Sequence, residues 1–170
     1  MKVYNVHERR LDAEPEVVGA LIDNLAGPDE KLWPKGQWPA MEMEPDLRPG
    51  ACGGHGPVRY RMAEYVPKRR AAFQFEDHGL TAGLDGWHFF EVAPRRKGVV
   101  LRHVIDVDCG FKDWLRWWFA IRPMHNALLE DALDLAQQEV DGPVAKPAKW
   151  GIWVRCLRWI VARGAERGQA

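Results

Sequence analysis

The feature that most constrains this chain is a change of hydrophobic period at Gly110. From Met41 to Cys109, apolar and polar residues alternate in short runs separated by turn residues, the pattern of half-buried antiparallel strands. After Gly110, the residues Trp114, Trp118, Ile121, His125, Leu128, Ala132 and Leu135 recur at helical spacing, with Glu130, Asp131, Asp134 and Gln138 largely opposite. Pro123 lies inside this run and must either kink one long helix or begin a second. Asp141-Gly142-Pro143 ends it. A sheet with one apolar face and a long helix with one apolar stripe bury those surfaces most readily against each other. The expected class is therefore α+β.

The expected strands are Val3 to Leu11, Met41 to Asp46, Val58 to Val66, Ala71 to Glu76, Gly86 to Ala93 and Gly98 to Cys109. Thr81 to Leu84 is a candidate for one more. Pro49-Gly50, Gly53-Gly54, Pro67-Lys68, Gly79 to Gly83 and Pro94 to Lys97 mark the turns. After the first strand, Asp12 can cap a helix carrying Pro15 and two glutamates near its start; Val17, Val18, Leu21, Ile22 and Leu25 form its apolar stripe. Gly27-Pro28 stops it, and Asp29 to Trp33 is expected to form a short further helix.

Charge divides the chain in two. The net formal charge is zero, which argues against a domain built to bind nucleic acid. From Lys146 onward, however, six basic residues face Glu166 alone, so the tail carries +5 and the body −5. Three widely spaced cysteines make neither a zinc spacing nor a disulfide framework. The opening MKVYNVHERR lacks the apolar run of a signal peptide, and no stretch is long and apolar enough to span a bilayer. A cytoplasmic protein is expected, with peripheral contact at the inner membrane surface one role open to the tail.

Several stretches resemble one family. VHERRLDAEPEVVGALID is similar to the opening strand and first helix of the polyketide cyclase/dehydrase branch of the START-like (SRPBCC) superfamily. PVRYRMAEYVPKRRAAFQFE and GWHFFEVAPRRKGVVLRHVIDV resemble its central hairpins, and RPMHNALLEDALDLA its gripping helix. The resemblance covers roughly residues 3 to 141. It implies the helix-grip fold: a curved antiparallel sheet of six or seven strands around a long helix, enclosing a cavity for a lipid, polyketide or other apolar ligand. Residues 1–141 would form this domain, 142–148 a linker, and 149–170 a basic amphipathic tail outside it.

Alternation names the candidate cavity residues. His88, Phe90 and Val92 share one strand face; Val99, Leu101, His103, Ile105 and Val107 share one face of the next. If Ala93 pairs with Gly98, opposed residue numbers sum to 191 and His88 lies across from His103. Two imidazoles in an apolar cavity could anchor a ligand oxygen or, in a cyclase, act as general acid and base; they could equally be a passive interior pair. Tyr60, Met62, Phe73, Phe90, Leu101, Ile105, His125 and Leu128 complete the expected ligand contacts. Whether Tyr60 and Met62 point inward together with Phe73 and Phe75 depends on the length of the Pro67 turn. A metal site would need a third ligand, which His125 could bring from the helix, and none is expected; no cofactor motif appears, and Cys52-Gly-Gly-His55 reads as part of a Gly-rich turn.

The tail carries its own signal. As a helix, WGIWVRCLRWIVARG sets Trp150, Trp153, Val154, Leu157, Ile160 and Val161 on a broad face with arginines on much of the other. Trp150, Trp153, Arg155, Leu157 and Arg158 are the expected contacts to an anionic membrane or a second subunit, unless the helix packs on its own domain. Three functions follow: a carrier or sensor of a small hydrophobic molecule, which the missing catalytic motif favours; a cyclase/aromatase-type enzyme using His88 and His103; or an interaction module recruited through the tail.

Overall fold

The structure is a computed structural model describing the backbone of residues 1–168 and the side chains through Val161. Seven strands form one antiparallel sheet: β1 (Lys2–Leu11), β2 (Met41–Glu44), β3 (Cys52–His55), β4 (Val58–Val66), β5 (Arg70–Phe75), β6 (Leu84–Pro94) and β7 (Val99–Cys109). Their order is β1-β7-β6-β5-β4-β3-β2, a meander from β2 to β7 with the first strand added beside the last. Helix α1 (Pro15–Asp23) begins on Pro15, where the missing N–H costs nothing. Helices α2 (Phe111–Arg116) and α3 (Arg122–Val140) run on from β7, and α4 (Ile152–Gly168) follows a stretch without regular structure.

Buried Val18, Leu21 and Ile22 of α1 meet Leu128, Leu129, Ala132, Leu133 and Ala136 of α3 in one cluster with Tyr60, Met62, Phe73, Phe90 and Leu101 of the sheet. The helices thus cover the face on which the expected cavity residues lie. A smaller cluster, Val3, Leu84, Ile105, Val107, Cys109 and Trp117, sits where α2 leaves the sheet.

Pro123 does not break the helix. Trp117–Ile121 widens into a π-turn in which Arg122 N–H bonds to Trp117 O, and α3 starts immediately after it. Proline has no N–H for the carbonyl of Phe119, four residues back. That oxygen instead accepts the Trp153 indole N–H at 2.8 Å.

Several local expectations are corrected. The predicted helix at Asp29–Trp33 is absent because the Glu30 carboxylate accepts N–H bonds from Ala26, Leu32 and Trp33 at 2.7, 2.8 and 3.0 Å, holding the segment in a loop. Burial raises the Glu30 pKa, against the pull of those three donors. Cys52–His55 is a strand, not a turn: its glycines allow close backbone approach, since a Cβ on Gly53 would lie 2.2 Å from Glu42 O and one on Gly54 2.1 Å from Val58 O. Cys52 and His55 thereby point to opposite faces and form no pair. Thr81 belongs to a 3₁₀ turn, Gly79–Thr81, not to a strand.

The β6–β7 hairpin also differs. Pro94 pairs with Val99, so opposed numbers sum to 193, and His88 faces Ile105 while His103 faces Phe90. Gly98 adopts φ +67, which places it in a four-residue turn closed by Arg95 N–H to Gly98 O at 3.2 Å. A shift of two in the sum leaves every side chain on its expected face but makes the two imidazoles diagonal neighbours.

Candidate functional site beneath the gripping helix

Strand register sets out the site. Reading across β1, β7, β6, β5 and β4, one row is Asn5, Ile105, His88, Phe73 and Met62. The next is His7, His103, Phe90, Ala71 and Tyr65. Tyr60 stands opposite Phe75, so both aromatic sets on either side of the Pro67 turn point inward. The turn achieves this with Lys68 at φ +59 and a register shift between Met62 and Glu64.

The outcome is a line of imidazoles across the concave face. His88 Nδ1 lies 3.3 Å from His103 Nε2. The His103 ring is 5.0 Å from that of His125, which projects from α3, and His125 lies 5.9 Å from Trp117. At the other end, His88 stacks on Phe73 and Phe75 at 5.0 and 4.6 Å and meets Tyr60 edge-on. Tyr60 in turn shares a 3.3 Å hydrogen bond with His55 Nδ1. His88 and His103 are buried, and both ring nitrogens of His125 are shielded from solvent.

Within this line, four nitrogens have no hydrogen-bond partner among the described residues: His88 Nε2, His103 Nδ1, and both of His125. Asn5 Oδ1 is also unpartnered. Leaving a buried polar group unpaired costs about 1–3 kcal/mol, so this concentration is costly to a core. Burial, more than the neighbouring imidazoles, pushes His88 down to about 3 and His103 and His125 well below the usual histidine range. His55 is likewise lowered to about 3, by burial and then by the Arg59 charge. Tyr60 is pushed above the ordinary phenol range by burial. At neutral pH the site is uncharged, and each imidazole offers one donor and one acceptor.

The line follows a seam. Tyr60, Met62, Phe73, Phe90, Leu101 and Leu128 belong to the larger apolar cluster; Ile105 and Trp117 belong to the smaller one. All ten residues expected to contact a ligand therefore lie on or beside one internal surface. Two hollows, of about 370 and 430 Å³, lie elsewhere: one between α3 and the 147–150 segment, lined by Asp131, Asp134 and Arg155, the other beside β2 and β3.

Sequence reasoning missed His7. Its Nδ1 meets Glu130 Oε1 at 2.8 Å and its Nε2 meets Asn126 Oδ1 at 2.9 Å, while Arg9 bonds Asp134 and Gln137 at 2.8 and 2.5 Å. The inner face of β1 is polar in its middle because it meets the polar flank of α3. Tyr4 and Val6, the apolar residues there, point outward. Only the alternation of Val3 and Leu11 with these polar positions hints at this. Among the described residues, no group of three or more His, Cys, Asp or Glu side chains is placed to hold a metal ion.

The tail residues separate. Trp150 and Trp38 both donate indole N–H bonds to Asp131 Oδ2, at 2.8 and 2.7 Å. The Arg158 guanidinium sits over both rings, at 4.0 and 4.2 Å, and bonds Gln37 O. Val154 and Leu157 are buried. Trp150, Leu157 and Arg158 thus face the domain, while Trp153 is half exposed and Arg155 is exposed at the rim of the smaller hollow.

No family model matches the chain, and no curated protein matches it in sequence. Solved structures do match. Norcoclaurine synthase from Thalictrum flavum, in complex with dopamine and hydroxybenzaldehyde, is 15% identical with a TM-score of 0.61, over 86% of this chain and 90% of that one. A protein from Thermobifida fusca is 15% identical with a TM-score of 0.61, over 88% and 99%. CalU16 from Micromonospora echinospora is 13% identical with a TM-score of 0.56, over 95% and 84%. The likeness spans most of each chain, and together with the seven-stranded antiparallel sheet and the long helix packed on it, it shows that the chain has the helix-grip fold.

Proposed function

We propose that this chain binds a small, mainly apolar molecule between the sheet and α3, held by hydrogen bonds to the imidazoles of His88, His103 and His125. The observation that carries the reading is the set of four unpartnered imidazole nitrogens within one apolar seam. A packed core selects against such groups, whereas a binding surface uses a few polar atoms among apolar walls to orient a ligand. The same fold in norcoclaurine synthase accommodates dopamine and hydroxybenzaldehyde, which supports the reading at the level of architecture.

The rings of the line pack at about 5 Å from one another, so entry requires the seam to part. The smaller cluster is the weaker side, since α2 contributes no buried side chain. A carrier or sensor fits this chemistry better than an acid–base enzyme. General bases work best with a pKa near the working pH, and His88 at about 3 is far below it.

Native mass spectrometry on gently extracted protein tests the reading. A co-purified small molecule is expected, and His88→Phe and His103→Phe should each cut its occupancy about tenfold or more by removing a directed hydrogen bond. Protein that always runs at its unliganded mass, and that binds no member of a diverse set of apolar phenols and lipids, would overturn it.

A further inference from the structure

We infer that α2, the π-turn and the outer face of α4 together form a docking surface for an anionic lipid bilayer. The inference does not depend on what the interior binds. It rests on two exposed apolar stripes that the fold brings together.

The first stripe is Phe111, Leu115, Trp118 and Phe119, spaced to share one side of α2 and the turn; Phe111 is 66% exposed and Phe119 65%. The second lies on α4, where Ile152, Trp153 and Ile160 fall on one helical side and are 82, 53 and 54% exposed. The opposite side of α4 is the one buried through Val154 and Leu157. The Trp153 indole joins the two stripes through its bond to Phe119 O, the carbonyl freed by Pro123. Large apolar side chains scattered singly on a surface need no explanation, but two adjoining stripes containing tryptophan do.

Charge selects the occupant. Apart from Arg158, which faces the domain, Phe111–Arg122 and Ile152–Val161 carry four cations, Lys112, Arg116, Arg122 and Arg155, and one carboxylate, Asp113. Asp113 is already paired with Arg116 at 3.2 Å. The chain before Lys146 is net acidic as a whole, yet its Phe111–Arg122 stretch carries three cations to one carboxylate. Arg122 lies over the Trp118 ring at 4.0 Å, placing a cation beside an indole. Indoles and aliphatic side chains rimmed by lysine and arginine are the composition of a surface that sits in the headgroup region of anionic lipid. Among the described residues no helix is long and apolar enough to cross a membrane, so contact would be peripheral.

Flotation of the full chain with vesicles of phosphatidylcholine plus phosphatidylserine, against phosphatidylcholine alone, tests this. Binding to the anionic vesicles is expected, weakening as salt is raised. Phe119→Ser combined with Ile160→Ser should reduce it about tenfold or more, and Lys112→Glu with Arg155→Glu should do the same. These side chains are exposed, so the melting temperature should stay unchanged. Absence of binding to either vesicle would overturn the inference, as would equal binding by the parent and both double variants. So would a parent that ignores vesicles but self-associates in sedimentation through the same residues, which would make the surface a contact between copies.

Discussion

Replacing His125 by Leu tests the site through stability alone. Both His125 ring nitrogens are shielded and lack a well-formed hydrogen bond, at a cost of about 1–3 kcal/mol for each, less whatever an internal water or the neighbouring Asn126 side chain recovers. Leucine is of similar size, removes both nitrogens and has the higher helix propensity; imperfect packing against His7, His103 and Trp117 subtracts up to about 1.5 kcal/mol. The variant should therefore be more stable at pH 7 by about 1–3 kcal/mol, or about 2–10 °C in Tm. It should also respond less to acid. An unfolded histidine takes up its proton near pH 6.5, while burial keeps His125 neutral well below that. The unfolded state then binds more protons as pH falls, and each such histidine withdraws about 1.3 kcal/mol between pH 7 and 5.5. His55, His88, His103 and His125 together would remove about 5 kcal/mol, a large part of a domain's usual stability. His125→Leu should lose one proton's share less. Urea denaturation followed by circular dichroism at the two pH values measures both effects. A variant less stable than the parent at pH 7, with both proteins losing stability in parallel on acidification, would refute the reasoning.

Two further substitutions address how the frame is held. Asp131→Ala removes the acceptor shared by the Trp38 and Trp150 indoles and should cost about 2–3 kcal/mol, partly recovered by water at Trp150; limited trypsinolysis should then cut at Arg155 or Arg158 faster than in the parent. Gly19→Ala would place a Cβ 2.1 Å from Lys68 O, pushing α1 off the β4–β5 turn, and should lower stability by about 2 kcal/mol or more in thermal melts.

The change of period at Gly110, the alternating strands and the turn residues were enough to identify the class, the long helix and most strands, because backbone geometry imposes those periods wherever one face is buried. The inward placement of His88, Phe90, Leu101, His103 and Ile105 was legible for the same reason: a strand's parity decides its faces, and the two-residue difference in the hairpin sum left parity intact. What tertiary structure alone decided was adjacency between distant segments. His7 lies opposite His103 only because the first strand joins the last, across about a hundred residues. Glu30 could be recognised as a loop-maker only once three N–H groups converged on it. The tail sequence allowed either packing or outward contact. In the structure Trp150, just before α4, and Arg158 on it are drawn inward by Asp131 and Trp38, while Ile152 and Trp153 are left outside. Periodicity specifies which way a side chain points, but its partner is decided by how segments far apart in the chain pack, and no local pattern encodes that.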